Sequence, residues 1–477
     1  LSALGDAAWQ VGTVDLDANR VATHLWMRRA GQEPKELDLG AGSQTRPRFS
    51  PDGRKLAYQA GGQIWVLDLA TMEKRQVTHL SGDCEGQAWS PDGSMLAFTS
   101  TTVPSGNDAE NAAYLKQRDA SKVKAHIATT LMYRHWTEWK DPSQVSHLFV
   151  VKADGSEAAR DLTPGQTYDV PIFSDVAAGD DYAWSPDSRH LAYGAHPEQT
   201  RATSTNGEIF EVSVLGGPSR LVSRNPAMDT TPRYSPDGKY LAWRAQRRPG
   251  FESDRFEVWV SNRATGQIKR TTQDFDRPVG EFFWQGSRIF FAAAESGQEN
   301  LYRWDLKAAP VPVTRNITLG TLAPDPAGKR LLASVSDTAT PPEIREIDLA
   351  TGKETAVSHH NDALVQKLGL TRWAFGMPSE EFTTFSWGHF GIIPIFPRPD
   401  SPNHGAVEWT GKKPPEVFRT IAQLPEKPVL IVNHPRSDSV QGYFTASSFD
   451  RTTVSGDPEI YSDEFGALEV FNDSDFE

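Results

Sequence analysis

Short apolar runs bounded by Gly, Pro, Asp and Ser recur along the chain, the pattern of short β-strands separated by tight turns. Around residue 50 they predict one complete unit of four antiparallel strands: Arg46 to Phe49, Lys55 to Gln59, Gln63 to Leu69 and Lys74 to Thr78. The third run, Ile64-Trp65-Val66-Leu67, is apolar on both faces. A strand needs that when sheets stack against it from either side and each apolar side chain must find a neighbour. Equivalent runs at His147 to Val151, Glu208 to Val212, Glu257 to Val260, Asn300 to Trp304 and Glu343 to Ile347 predict that the unit recurs.

Four copies of one phrase mark the turn between the first and second strands: Ser50-Pro51-Asp52-Gly53, Ser90-Pro91-Asp92-Gly93, Ser185-Pro186-Asp187-Ser188 and Ser235-Pro236-Asp237-Gly238. Each leads into Leu, Ala and an aromatic residue, as in Leu56-Ala57-Tyr58. Pro presets φ at the second turn position, Asp caps the turn through its side chain, and Gly accepts the conformation that leads back into a strand. Ser50 to Ser90 spans 40 residues and Ser185 to Ser235 spans 50, one unit each, whereas Ser90 to Ser185 spans 95. An insertion from about Thr101 to Ser146 accounts for the excess. Degraded copies of the turn stand at Trp284 to Ser287 and at Ala323-Pro324-Asp325, and a partial unit surrounds Thr23 to Met27. The repeat therefore predicts a mainly β fold over residues 1–375, a β-propeller of about seven blades.

Composition agrees with this: 477 residues suffice for two domains, and 38% hydrophobic content with 14 Trp can fill substantial cores. A net charge of −13 argues against a nucleic-acid partner, because phosphate binding relies on Lys and Arg. No run reaches the roughly 18 apolar residues of a membrane span, so no membrane partner is expected. The first residues, Leu-Ser-Ala-Leu-Gly-Asp, have neither the basic start nor the apolar stretch of a signal peptide. Cys84 is the one cysteine, which excludes an intrachain disulfide. The expected compartment is thus cytoplasmic or periplasmic, with a reducing cytoplasm favoured.

The stretch Leu131-Met132-Tyr133-Arg134-His135-Trp136-Thr137-Glu138-Trp139, with Ser146 to Val151 and Asp161-Leu162-Thr163-Pro164-Gly165, resembles the propeller of the prolyl oligopeptidase (S9) family, in its dipeptidyl and acylaminoacyl peptidase branch. Asp181-Tyr182-Ala183-Trp184 and Ser358 to Asp362 are similar to that group as well, and the resemblance spans about residues 8 to 375 with PD40/TolB-like repeats. It implies a propeller that covers the active site of an α/β-hydrolase domain and restricts entry to small peptides. Arg134 and Glu138, in the insertion, are candidates for recognising a peptide terminus, against the plainer reading of a surface ion pair. The pair His359-His360 is best read as part of a polar linker, since adjacent side chains in an extended segment point to opposite faces.

An α/β-hydrolase needs a Gly-x-Ser-x-Gly elbow that lifts its nucleophilic serine, and the chain has none. The serines of Gly442-Tyr443-Phe444-Thr445-Ala446-Ser447-Ser448 lack the second Gly and a following helix, so neither is expected to be a nucleophile. Residues 376–477 have a different pattern. An apolar strand from Gly388 to Phe396, helical spacing from Pro414 to Leu424, a buried strand from Pro428 to Val432 and another from Ala467 to Phe471 suggest parallel β/α units. Asn433, His434 and Asn472 fall at strand ends, where such units build their sites.

Glu380-Glu381-Phe382-Thr383-Thr384-Phe385-Ser386-Trp387-Gly388-His389-Phe390, Val432-Asn433-His434-Pro435-Arg436 and Ala467 to Asn472 resemble the PHP metal-dependent hydrolases, nearest the carbaryl-hydrolase-like group. The resemblance implies a partial PHP-like β/α barrel segment with Glu381, His389 and His434 as metal ligands. Imidazole with carboxylate suits Zn or Mn, and such an ion can lower the pKa of bound water for attack. The His-x-His that opens this family's domain and the Asp-x-His near its end are missing. Three functions follow in order: the substrate-gating propeller of an S9-type serine peptidase whose catalytic domain is not in this chain, a PHP-type ester or phosphoester hydrolase with an N-terminal propeller, and a non-catalytic protein-binding propeller. The first two imply a peptide or a small ester as the substrate.

Overall fold

Leu56, Leu96, Leu191 and Leu241, the leucines that follow the four turn phrases, are each no more than 1% exposed, so every phrase feeds a buried strand. The computed structural model describes all residues except 16, 124, 126, 129–130, 136–137, 171–180, 198–201, 273, 296, 338–339, 370–378, 385, 397, 399, 402–404, 434, 436–441 and 469–477, and the side chains of His135 and Glu138. The chain divides into two compact units, Leu1–Leu368 and Gly369–Glu477.

The first unit is a series of antiparallel sheets. The first has three strands, Ala7–Asp15, Arg20–Arg28 and Lys35–Glu36. The second is the unit read from the sequence: Gln44–Phe49, Lys55–Ala60, Gln63–Asp68 and Lys74–Gln76. The third combines Cys84–Trp89 and Met95–Thr102 with Val145–Lys152 and Arg160–Asp161. Its second and third strands pair directly, Thr102 opposite Val145, so the insertion is an excursion from one hairpin. The insertion carries helix α1 (Asp108–Ala120), capped by the Asn107 side chain, which accepts from the N–H groups of Ala109 and Glu110.

The fourth sheet holds Tyr182–Trp184, His190–Ala195, Glu208–Ser213 and Arg220–Leu221, and the fifth Asp229–Tyr234, Tyr240–Ala245, Glu257–Asn262 and Ile268–Arg270. Two further sets follow, beginning at Val279–Gln285 and Thr318–Pro324; one parallel residue pair, Glu299 with Thr318, links them into a single eight-stranded sheet. These halves are called the sixth and seventh sheets below. Helix α2 (Asp362–Leu368) closes the unit.

Alternate residues of each strand pair serve opposite neighbours. Leu56, Tyr58 and Leu67 pack on Leu25 and Met27 of the first sheet. Ala57, Ile64 and Val66 pack on Leu96, Phe98 and Phe149 of the third. The same alternation continues from the third sheet to the fourth, the fourth to the fifth, the fifth to the sixth and the sixth to the seventh. Leu332 and Val357 of the seventh sheet then pack with Ala7 and Trp9 of the first. No strand is shared between these two sheets among the described residues; their contact is made by side chains.

Polar bonds repeat with the packing. The indole Nε1–H of Trp89 donates to the carbonyl of Arg48 (2.9 Å), that of Trp184 to Ala88 (3.0 Å), and that of Trp284 to Arg233 (3.1 Å). Each acceptor immediately precedes the matching aromatic residue of the sheet before. Between the fourth and fifth sheets the buried Glu211 takes this role, accepting from Tyr234 (2.6 Å), Arg263 (2.8 Å) and Arg220 (2.7 Å). Burial alone would raise its carboxyl, but these donors outweigh burial and hold it at about 2.

The turn phrase works as its residues suggest. Ser50 Oγ donates to Asp52 Oδ1 (2.6 Å) and accepts from Lys55 N–H (2.9 Å), while Asp52 Oδ1 also accepts from Arg54 N–H (3.0 Å). Gly53 sits at φ 73, where a Cβ is disfavoured, and Ser188 takes the same conformation at φ 59 in the copy that lacks Gly. The degraded copy at Asp325 has a different register. Asp325 N–H donates to Arg330 O (2.9 Å), as Ser50 does to Lys55, and its carboxylate caps Ala327 N–H (2.7 Å). Asp325 therefore stands in the serine position of the phrase.

His360 departs from the linker reading. Its Nε2 accepts from Trp9 Nε1–H (2.9 Å), and its ring meets Trp26 edge-on at 4.6 Å. The residue joins the end of the seventh sheet to the first, a contact 351 residues apart in sequence.

In the second unit a sheet ordered Glu380–Thr384, Gly388–Ile393, Val429–Asn433 and Ala467–Leu468 packs with helices α3 (Pro414–Ala422) and α4 (Tyr443–Ala446). Phe382, Phe390, Phe418 and Tyr443 fill its core. The expected helix and the strands at Gly388 and Val429 form, and of the strand expected from Ala467 to Phe471 only Ala467–Leu468 lies within the described residues; the pairing differs from parallel β/α units. Gly388–Ile393 runs antiparallel to both of its neighbours, and only Val429–Asn433 with Ala467–Leu468 is parallel. The described strands make an open mixed sheet, not a barrel segment, because the long connection through α3 returns the chain in the reverse direction. Among the described residues no helix is long and apolar enough to cross a membrane.

Replacing Trp184 by Phe keeps the ring in place and removes one inter-sheet donor, an expected loss of about 1 kcal/mol. Glu211→Ala leaves Tyr234 and two guanidinium groups without their shared acceptor and is expected to cost about 1–3 kcal/mol. Urea unfolding midpoints check both; a Glu211→Ala midpoint equal to that of the parent chain would show that the carboxylate does not hold the sheets together.

Candidate functional site

The insertion brings Arg134 to the start of a two-residue hairpin, Arg134–His135 paired with Glu138–Trp139. Arg134 lies opposite Trp139, and its guanidinium stands 5.9 Å from the centre of that ring. The side chain is exposed, as are Tyr133 and Trp139. Glu138 lies in the facing strand, opposite His135, and its side chain is outside the described residues. The base of the insertion is firmly tied: Lys140 pairs with Asp169 at 3.0 Å, and buried His147 contacts Asp161 Oδ2 (2.7 Å) and Gln166 O (3.1 Å). A cation stacked on an aromatic ring at the tip of a secured arm can meet a carboxylate or a peptide carbonyl.

In the second unit, Glu381 and His389 converge. His389 is opposite Thr383 in the antiparallel pair, so Glu381 is its diagonal neighbour, and His389 Nδ1 is 3.7 Å from Glu381 Oε1. Asn433 is opposite His389 on the other side. His434 lies outside the described residues, as does Asn472. No group of three potential metal-ligating side chains occurs among the described residues. Ser447 is fully buried and its hydroxyl donates to Tyr443 O (2.7 Å), so it is not posed as a nucleophile, while Ser448 is exposed.

A third cluster escaped the sequence reading. Asp181 is buried where the fourth and fifth sheets meet, and its Oδ1 accepts from the hydroxyl of Thr230 (2.8 Å) and from Thr231 N–H. Its Oδ2 has no hydrogen-bond partner among the described residues. A Cβ on Gly194 would come within 2.5 Å of that oxygen, so the close approach depends on glycine. Arg244, also buried, donates to Val279 O (2.8 Å) and lies 4.0 Å over the Phe256 ring. Asp181 was visible in sequence only as the residue before Tyr182-Ala183-Trp184; nothing local distinguishes it from the exposed aspartates of the turns.

Burial lifts the Asp181 carboxyl to about 6, against the lowering effect of Thr231, Thr230, Arg233 and Arg244. The folded state thus keeps a proton that the unfolded chain has released, and the contribution of this group to stability falls as pH rises from about 4 to about 6. Asp181→Asn is expected to flatten that decline, seen as a smaller difference between urea midpoints at pH 4.5 and pH 7 than in the parent chain. An unchanged difference would assign the decline to other groups.

No family model matches the chain. It is 28% identical over 377 residues to dipeptidyl-peptidase 5 of Porphyromonas gingivalis, covering 76% of this chain and 54% of that protein. The chain spans about half the length of the curated relatives it matches first. Among solved structures, Pyrococcus horikoshii acylaminoacyl peptidase matches with a TM-score of 0.58 at 16% identity, over 81% of this chain and 55% of that one. The β-propeller domain of the Trilobed protease from Pyrococcus furiosus, described as having an open velcro topology, matches with a TM-score of 0.51 at 14% identity, over 75% of this chain and 93% of that one. These likenesses lend no support to the PHP resemblance. The chain is homologous to dipeptidyl-peptidase 5, and its mainly β fold is similar to that of the propeller-bearing S9 peptidases.

Proposed function

We propose that the first unit is the substrate-gating propeller of an S9-type serine peptidase, dipeptidyl or acylaminoacyl in class, whose nucleophile is not among these 477 residues. The observation that carries this reading is the succession of face-to-face sheets, each packed on the next and the seventh packed on the first through Trp9, Leu332 and Val357. It supports a ring of seven blades closed by side-chain packing instead of a shared sheet. The homology to dipeptidyl-peptidase 5 agrees with a peptide substrate. In this reading the ring limits entry to short peptides, and the insertion hairpin receives one end of them. Arg134 would bind a carboxylate or carbonyl oxygen, and Glu138 a terminal ammonium.

The chain by itself is then expected to bind short peptides without cleaving them. Fluorophosphonate should label no serine, and dipeptidyl and acylaminoacyl p-nitroanilides should not turn over. Arg134→Ala should weaken dipeptide binding at least about tenfold in calorimetry, the scale of one charge-assisted hydrogen bond. Turnover that fluorophosphonate abolishes would place the nucleophile in this chain, and peptide affinity indifferent to Arg134 would remove the insertion from recognition.

A second reading, a PHP-type metal-dependent hydrolase, is favoured by one observation: the cross-strand approach of Glu381 and His389 to 3.7 Å. One imidazole and one carboxylate fit part of a Zn or Mn site, with His434 as the third ligand on the family resemblance. A bound ion would supply an acidified water. The expected result is weak uptake of Zn or Mn, reduced at least about tenfold by His389→Ala and measured as metal content after dialysis. Stoichiometry unaffected by that substitution would end this reading.

A further inference from the structure

Opposite signs of charge are unevenly placed in a cleft of about 530 Å³ at one end of the fifth sheet. Arg247 and Arg248 follow its second strand, Arg255 precedes its third, and Arg270 ends its fourth. Three acids, Asp254, Glu257 and Asp276, share the lining, leaving one positive charge in excess on a chain whose net charge is −13.

The acids are not equivalent. Glu257 is fully buried; Arg255 approaches its Oε1 at 3.3 Å and Arg247 at 3.8 Å, while Trp259 Nε1–H donates to its Oε2 at 3.4 Å. Asp254 is saturated by the N–H groups of Arg247 and Arg248 (2.8 Å each) and by Arg248 Nε (2.8 Å). Asp276 is fully exposed, and water screens its charge. The carboxylates therefore orient the arginines without using up their donors.

Three of those arginines, Arg247, Arg248 and Arg270, are exposed, and Arg248 is committed to Asp254. Arg247 is exposed, and its single ion pair among the described residues is the long one to Glu257. Arg270 is exposed, its guanidinium carbon lies 5.6 Å from the centre of the Trp259 ring, and an ion lying over a ring face leaves its N–H donors available to a further partner. A planar guanidinium presents paired N–H donors that match a group with two coplanar oxygens.

We propose that this cleft is an oxyanion-binding site that takes carboxylates of acidic peptides, with Arg247 and Arg270 as the binding pair. Inorganic phosphate presents similar paired oxygens and separates the two sources of such a group. The site does not depend on the peptidase reading, because it needs no catalytic partner and is tested by binding to the full chain.

The experiment is calorimetric titration of the full chain with the tripeptide Glu-Glu-Glu, with Gln-Gln-Gln, and with inorganic phosphate. Glu-Glu-Glu should bind, Gln-Gln-Gln should not, and tenfold more salt should weaken the affinity several-fold. Arg247→Ala with Arg270→Ala should weaken it at least about tenfold, whereas Arg270→Lys should recover only part, since an ammonium cannot pair two oxygens at once. Binding of Glu-Glu-Glu should also alter an indole emission that is lost in Trp259→Phe. Phosphate binding with the same arginine dependence, in the absence of peptide binding, would overturn the acidic-peptide assignment. Equal affinity for Glu-Glu-Glu and Gln-Gln-Gln, affinity unaffected by either arginine, or no binding of any probe would overturn the site itself. The single exposed substitution Arg270→Gln gives the same test if the double variant does not fold.

Discussion

A sheet of four short strands with two apolar faces cannot be stable alone, because whichever face lacks a neighbour is left in water. That constraint governs the whole first unit. Each sheet has one set of side chains for the sheet before and another for the sheet after, as Leu56 and Tyr58 serve one side and Ala57, Ile64 and Val66 the other. Burying one such leucine or valine contributes about 1.5–3 kcal/mol, so the gain comes from many modest contacts spread along the series. The first and last sheets face the same requirement, and Trp9, Leu332 and Val357 satisfy it together.

Apolar stacking sets no register between neighbouring sheets, since it is not directional. Register comes from the polar bonds placed among the apolar contacts. An indole N–H that must find an acceptor when buried can do so only where a carbonyl is presented, and Trp89, Trp184 and Trp284 each find the residue before the equivalent aromatic position. Glu211 does the same work between the fourth and fifth sheets with charge-assisted bonds. The turn phrase acts within a sheet. Its serine and aspartate close the hairpin by four local hydrogen bonds in the copy at Ser50, which frees the strand residues to be chosen for packing.

This division of labour leaves the chemistry to the connections. The second-to-third connections carry the insertion of the third sheet and the arginine-rich segment of the fifth, and neither segment is constrained by the packing of strands. Arg134 near Trp139 and Arg270 near Trp259 share one feature, a guanidinium within about 6 Å of an aromatic ring centre. In the second unit the feature differs. There a cross-strand diagonal brings Glu381 to His389, and a core of Phe382, Phe390, Phe418 and Tyr443 holds the sheet that carries them.

The sequence by itself determined everything that depends on near neighbours. Strand limits around the phrase at Ser50, the buried leucines after each turn, the place of the insertion and helix α3 all follow from period-two patterning and from the fixed φ demands of Pro and Gly. Tertiary structure alone decided what depends on distant segments. His360 is one of two adjacent polar residues until Trp9, from the other end of the unit, supplies a donor to it. Asp181 is one aspartate among many until the fifth sheet covers it and burial raises its carboxyl to about 6. The direction of Gly388–Ile393 relative to Val429–Asn433 was equally hidden, because alternation of apolar residues is the same for parallel and antiparallel partners. The physical reason is common to all three: local pattern fixes which face of a strand is apolar, whereas charge, hydrogen bonding and strand direction are properties of the pair that meets there.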